Sequence, residues 1–363
     1  MKKYLILVLL LIFSLQNFAK DGYELWLDYR PIENSIMRSE ADRLFSGIFF
    51  FGKNSTYEAI EKELQLAAPK MTGKGPVFST ERLNQTQVWL GTREELAQVL
   101  GLQNQIDIRN LGQDGYWMGP IDFQGKTYFT IVGNRPVGVL YGVFDWLKSL
   151  QSGSFDSNKV KMESPKIQLR MLNHWDNLDR TVERGYAGFS IWDWHRLPGY
   201  IDPRYIDYAR ANASIGINAV SLTNVNANAR ILTTDFMKKA KVLADIFRPY
   251  GIKVFLTARF SAPIEIGGLK TADPLDPEVI AFWKKKTDEM YQHIPDFGGY
   301  LVKANSEGQP GPHEYRRTHA EGANMLADAL ASHGGVLIWR AFVYSHEIDE
   351  DRHKQANLEF VPL

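Results

Sequence analysis

Five strand-like apolar runs recur through the second part of the chain, opening near Leu169, Ala219, Lys253, Tyr300 and Val336. A helical pattern fills each interval: Tyr205 to Ala213, Thr234 to Tyr250, Pro277 to His293 and Ala320 to His333. The intervals are roughly 35 to 50 residues, which suits successive βα units carrying loop insertions. A helix between strands returns the chain to the same end of the sheet, so the strands must run parallel. Asp276-Pro277-Glu278 supplies one helix start, with proline early and an acid in the first turn. The expected architecture is therefore a (β/α)₈ barrel of the TIM type, over residues 161–363. A closed barrel needs eight strands and five are legible, so the sequence reads as a barrel truncated after about five βα units.

Residues 20–160 read as a small N-terminal α/β accessory domain. Strand-like runs lie at Tyr23 to Tyr29, Ile48 to Phe51, Val88 to Leu90 and Tyr128 to Val132. Helical periodicity covers Tyr57 to Leu66, Arg93 to Leu100 and Val137 to Leu150. Gln124-Gly125-Lys126 is the turn of a hairpin. Alternating strand and helix make this an α/β unit. The polar turn Ser152 to Asn158, followed by Pro165, separates it from the barrel.

Lys2 and Lys3 precede an apolar run from Tyr4 to Phe13, and Asn17-Phe18-Ala19 follows. That is the layout of a signal peptide over residues 1–19. The run is shorter than the roughly 20 apolar residues that a membrane helix needs. Export to a bacterial periplasm or the extracellular space is expected. The absence of cysteine from the sequence fits an exported chain that folds without disulfides, and it excludes thiolate chemistry. With 42 basic and 42 acidic residues, the chain has no electrostatic bias toward nucleic acid or an anionic membrane.

The chemistry concentrates between Gly298 and Pro312. An apolar strand turns polar at Lys303, Asn305 and Glu307, then breaks into a turn rich in Gly and Pro. Side chains alternate along a strand, so these three are expected to share a face. Active sites of parallel barrels sit at such C-terminal strand ends. Arg340 interrupts the next apolar strand, Val336 to Tyr344. A buried arginine requires an anionic partner, either Glu307 or a bound carboxylate. His174, His195, His313 and His319 lack the spacing of metal ligands. There is neither a GxSxG elbow nor a Gly-rich phosphate loop, and no cofactor is expected.

Lys303-Ala304-Asn305-Ser306-Glu307-Gly308-Gln309-Pro310-Gly311-Pro312 resembles the signature of the family 67 glycoside hydrolases, the α-glucuronidases. The similarity runs from Asp21-Gly22-Tyr23-Glu24-Leu25-Trp26-Leu27 to the end of the chain. The resemblance implies an inverting enzyme that removes glucuronic acid, or its 4-O-methyl ether, from xylan-derived aldouronic oligosaccharides. It makes Glu307 the general acid and puts Lys303 and Arg340 on the substrate carboxylate. It puts Trp175 in the sugar pocket as a stacking residue and Val225 near the sugar O4. Asn305 completes the binding set. Inversion needs a second carboxylate to activate water. The resemblance implies that this base lies beyond Leu363, so the 363-residue chain alone is expected to be inactive. Homodimers occur in that family, and their interface is implied to lie in the same later region.

A cation beside Glu307 lowers its pKa, which is wrong for an acid at neutral pH. A uronate bound to Lys303 would offset that charge. Asn173 and Asp176, beside Trp175, are candidate hydrogen-bonding neighbours. Phe189 to His195 either walls the site or packs its loop. Two other readings remain open. A β-hexosaminidase-like enzyme shares the domain plan but would carry Asp where Ser306 stands. A secreted glycan-binding protein would need no catalytic pair.

Overall fold

A computed structural model describes residues 21–81, 83, 85–100, 111–340, 351, 353 and 354. The expected signal peptide lies outside the described residues. Two five-stranded sheets, each with its helices, make up the fold.

The first sheet has the order β1-β2-β4-β3-β5. Its strands are β1 (Ile48–Phe50), β2 (Val88–Thr92), β3 (Tyr116–Phe123), β4 (Lys126–Gly133) and β5 (Lys161–Glu163). β3 and β4 form the expected hairpin, in antiparallel register from Tyr116↔Gly133 to Phe123↔Lys126. Its two turn residues, Gln124 and Gly125, both have positive φ, as a tight hairpin turn requires. The sheet extends to Lys161–Glu163 through pairing of β5 with β3. Helices α1 (Ser35–Phe45), α2 (Ser55–Thr72), α3 (Arg93–Leu100) and α4 (Pro136–Ser152) belong to this unit. α4 starts with Pro136 and ends at Gly153 in the left-handed region.

Two expectations fail here. Tyr23 to Tyr29 is not a strand but a 3₁₀ turn over Leu25–Asp28, flanked by positive φ at Leu25 and Tyr29. α1 was not anticipated. Asn34 nucleates it by accepting from the backbone N–H groups of Ile36 and Met37.

The second sheet runs β6 (Met171–Asn173), β7 (Ala219–Ser221), β8 (Lys253–Thr257), β9 (Gly299–Lys303) and β10 (Val336–Arg340). All are parallel and neighbours in chain order, so the sheet is a half-barrel with the expected five strands. The connecting helices are α5 (Arg204–Ala213), α6 (Thr234–Phe247), the short α7 (Ala262–Glu265), α8 (Pro277–His293) and α9 (His319–Ala331). Asp276 caps α8 from the Oδ1 that accepts Glu278 N and Val279 N. Thr318 and Glu321 form a reciprocal capping box on α9. Gly299 is obligatory: its φ is 138°, and a Cβ there would come within 1.8 Å of the Val336 carbonyl oxygen on β10.

One apolar core runs through both units, from Phe45, Trp146 and Phe144 to Trp192, Tyr205 and Phe247. Polar latches join them as well. Glu63 on α2 takes two hydrogen bonds from Arg210 on α5. Asp114, before β3, accepts from Arg170 at the foot of β6 and from Asn218 at the foot of β7. Among the described residues, no helix is long and apolar enough to cross a membrane.

Candidate active site

The site grows from the end of β9. Lys303 is the last residue of the strand, and its side chain is fully buried. The backbone then leaves the extended region, with φ of 48° at Asn305, 49° at Glu307 and 76° at Gly308. Ser306 and Gln309 close the resulting turn, with Gln309 N donating to Ser306 O. Non-glycine residues at positive φ cost energy and recur at functional sites.

This geometry corrects the expected shared face of Lys303, Asn305 and Glu307. Strand alternation ends at Lys303, because the next residues turn. Lys303 and Glu307 still meet, across the turn, with Nζ donating to Oε2 at 2.5 Å. Asn305 goes elsewhere. Its Oδ1 accepts from His313 N at 3.1 Å and lies where a Cβ on residue 311 would be, only 2.0 Å away. Asn305 thus holds the turn against Gly311, which must be glycine.

Residues not singled out in the sequence complete the frame. Asn226, after β7, accepts from Lys303 Nζ at 2.7 Å. Its own backbone N–H is fixed by Asn224 Oδ1. Arg259, after β8, donates to Gln309 Oε1 and to the Ala227 carbonyl, and so braces the turn that carries Glu307. The polar run Asn224-Val225-Asn226-Ala227-Asn228 was the available signal for the first two.

Arg340 is the last described residue of β10, the rest of the expected strand to Tyr344 lying outside the described residues, and it is the register partner of Lys303 on β9, so two cations stand side by side. The Arg340 guanidinium lies 5.5 Å from the centre of the Trp175 ring, a cation–π contact that joins two expected site residues. Trp175 is half-buried. Val225 is buried, 1% exposed, between Asn224 and Asn226. Asp176 is buried and faces His174 at 3.4 Å, whereas Asn173 is exposed. In the first loop, Trp192 and Trp194 are buried in the core.

A cavity of about 610 Å³ opens beyond the ends of β6 to β8, lined by Asp176, Asn177, His195, Thr223, Asn226 and Arg259 among others. It meets the β9 turn through Asn226. Glu307, Trp175 and Arg340 are outside its lining, so the charged cluster sits beside it rather than within it.

Glu307 is half-exposed, and its carboxyl is held below the usual carboxylate range. The hydrogen bond and charge of Lys303 are the main cause, with Arg184 and Arg340 adding to it. The arrangement can bind an anion. It can also deliver a proton once that anion neutralises the cations around Glu307. Among the described residues, no cluster of three His, Asp or Glu side chains could hold a metal ion.

Comparison with known proteins fits this geometry. Residues 25–146 match the description "Glycosyl hydrolase family 67 N-terminus", and residues 149–363 match "Glycosyl hydrolase family 67 middle domain". A probable alpha-glucuronidase A of Aspergillus terreus is 41% identical over 355 residues, covering 95% of this chain and 41% of that protein. Alpha-glucuronidase A of Aspergillus tubingensis is 37% identical over 344 residues, covering 93% of this chain and 39% of that protein. The chain thus spans about two fifths of the length of these relatives. Two solved structures share the fold. A GH138 enzyme targeting pectin rhamnogalacturonan II has a TM-score of 0.51 at 16% identity, over 86% of this chain and 37% of that one. CpGH84D has a TM-score of 0.52 at 11% identity, over 86% of this chain and 50% of that one. The chain belongs to glycosyl hydrolase family 67.

Proposed function

We propose that the protein carrying this chain is an exported, inverting α-glucuronidase. It releases glucuronic acid or its 4-O-methyl ether from xylan-derived aldouronic oligosaccharides. The observation that carries this is the pairing of Lys303 and Arg340 across β9 and β10, with Glu307 on the same lysine. Two adjacent cations suit a uronate, and a carboxyl beside them suits proton delivery to the glycosidic oxygen. The names of the relatives support the same substrate class.

The reaction begins with an exchange of ion pairs. In the free protein Glu307 is ionised against Lys303. The substrate carboxylate then takes Lys303 and Arg340, and the sugar lies on Trp175. With its cations engaged, Glu307 regains affinity for a proton. It gives that proton to the leaving oxygen as the C1–O bond breaks. Water, deprotonated by a carboxylate base on the opposite face, adds to C1 and inverts it. No described residue is assigned as that base.

Arg340→Ala in the full-length protein is expected to lower kcat/KM on an aldouronic acid by about 2 kcal/mol, roughly thirtyfold, as for a lost charge-pair partner. A neutral 4-nitrophenyl α-glucoside should be much less affected. Equal losses on both substrates would make Arg340 structural and remove the basis for uronate recognition.

The pH profiles should differ in a set direction. An essential acid is lost as pH rises through its pKa, so it defines the basic limb. The free-enzyme pKa, reported by kcat/KM, is the one depressed by Lys303, Arg184 and Arg340. The substrate-bound pKa, reported by kcat, should be higher. The basic limb of kcat is therefore expected at higher pH than that of kcat/KM. Coincident limbs would show that the uronate does not relieve Glu307.

A further inference from the structure

Lys303 is not alone in pairing with Glu307. Arg184 Nη2 lies 3.5 Å from the same Oε2 that Lys303 holds. It comes from the loop after β6, and nothing in its local sequence marks it as functional. The loop, however, is built to present it.

Asp176 bridges Val182, and Thr181 bridges Phe189, so the segment folds back as a narrow flap. Arg180 pairs with Asp193 at 2.9 Å and closes its base. The tip is a tight turn, with Gly185 N donating to Val182 O at 3.0 Å. Glu183, directly before Arg184, has a φ of 59°. Such a conformation persists in a non-glycine residue only where its surroundings over-determine it. Here they do. Glu183 N donates to the Trp175 carbonyl at 2.8 Å, and the Glu183 carbonyl accepts from both Asn177 and Asn224. The strained residue is thus tied to the backbone of Trp175, the expected sugar-stacking residue, and to the loop that bears Asn226.

Accessibility separates Arg184 from Lys303. The Lys303 side chain is fully buried, whereas that of Arg184 is 62% exposed. An anion approaching from solvent meets Arg184 before it can reach Lys303. The guanidinium fork can also leave Glu307 for a second carboxylate by rotation of its own side chain, with no change in the pinned backbone.

We infer that Arg184 is a third ligand of the substrate carboxylate, held over Glu307 at the mouth of the site and exchanged from the acid to the uronate on binding. The inference rests on the uronate-binding reading above and deepens it. It adds a specificity-determining residue contributed by the β6 loop rather than by a strand end.

The test is binding of D-glucuronate to the full-length protein, measured by calorimetry, so it does not depend on turnover. Arg184→Gln is expected to weaken binding about fivefold, the effect of losing one partly exposed ion pair. Arg184→Lys should restore much of it. Because the contact is solvated, the difference between wild type and Arg184→Gln should narrow at high salt. Equal affinity of Arg184→Gln and wild type would overturn the inference while leaving the uronate site intact. A weakening that salt does not change would also overturn it, since the role would then be packing. Failure of the wild-type protein itself to bind glucuronate would instead defeat the underlying uronate reading, and this inference with it.

Discussion

Glu307→Gln in the full-length protein is expected to cut turnover of aldouronic acids by about 10²–10⁴-fold, the range for loss of a positioned general acid. Glutamine keeps the size of the side chain and its place above Lys303 but has no acidic proton. A glucuronosyl fluoride, whose leaving group needs no proton, should be largely spared. The KM of the acid substrate should not rise, because the substitution removes the carboxylate that competes with the uronate for Lys303. Equal losses on the fluoride and on the oligosaccharide would show that Glu307 does something other than protonate.

A comparable effect, on stability rather than rate, is expected far from the site. Glu63 is 1% exposed and takes two hydrogen bonds from Arg210, at 2.7 and 2.9 Å, and one from the Tyr29 hydroxyl at 2.6 Å. Glu63→Ala leaves a largely buried guanidinium and a buried phenol without their acceptor. Breaking such a pair costs about 3–5 kcal/mol. The loss should appear as a shift of the urea midpoint. Glu63 and Arg210 belong to different units, so the variant should also weaken their docking, seen as faster proteolysis near the polar turn from Ser152. The double variant Glu63→Leu with Arg210→Met should recover much of the stability, because it removes both charges together. No recovery would indicate that the latch does more than neutralise a buried charge.

Most regular parts of the fold were legible, α1 excepted, and the irregular parts were not. All five strands of the half-barrel were expected near their observed starts, because apolar β-rich runs between helical patterns carry a clear period. The helix start at Asp276-Pro277-Glu278 was readable because its signals are local, and in the structure Asp276 caps that helix. The segment Tyr23 to Tyr29 misled because its apolar residues alternate as a strand would. Its positive φ angles at Leu25 and Tyr29, and the bond from Trp26 Nε1 to Ser214 Oγ, are set by distant packing. The same limit governs the site. The pairing of Lys303 with Glu307 was expected from strand alternation and arises instead from a left-handed turn, which leaves Asn305 bracing Gly311. Arg184, Asn226 and Arg259 come from other loops, so their contacts with Glu307, Lys303 and Gln309 are long-range pairings that local sequence does not specify.

The order of the strands in the two sheets has a consequence for how each assembles as the chain emerges from the ribosome. In the half-barrel every strand lies beside its predecessor, so each can add to an existing edge as soon as its βα unit is complete. In the first sheet β2 has β1 on one side and β4 on the other, and β3 follows β2 in the chain without touching it. The edge of β2 must wait until the whole β3–β4 hairpin has been synthesised. The N-terminal unit, though made first, therefore closes in one late step that depends on longer-range contacts, whereas the half-barrel can grow strand by strand behind it.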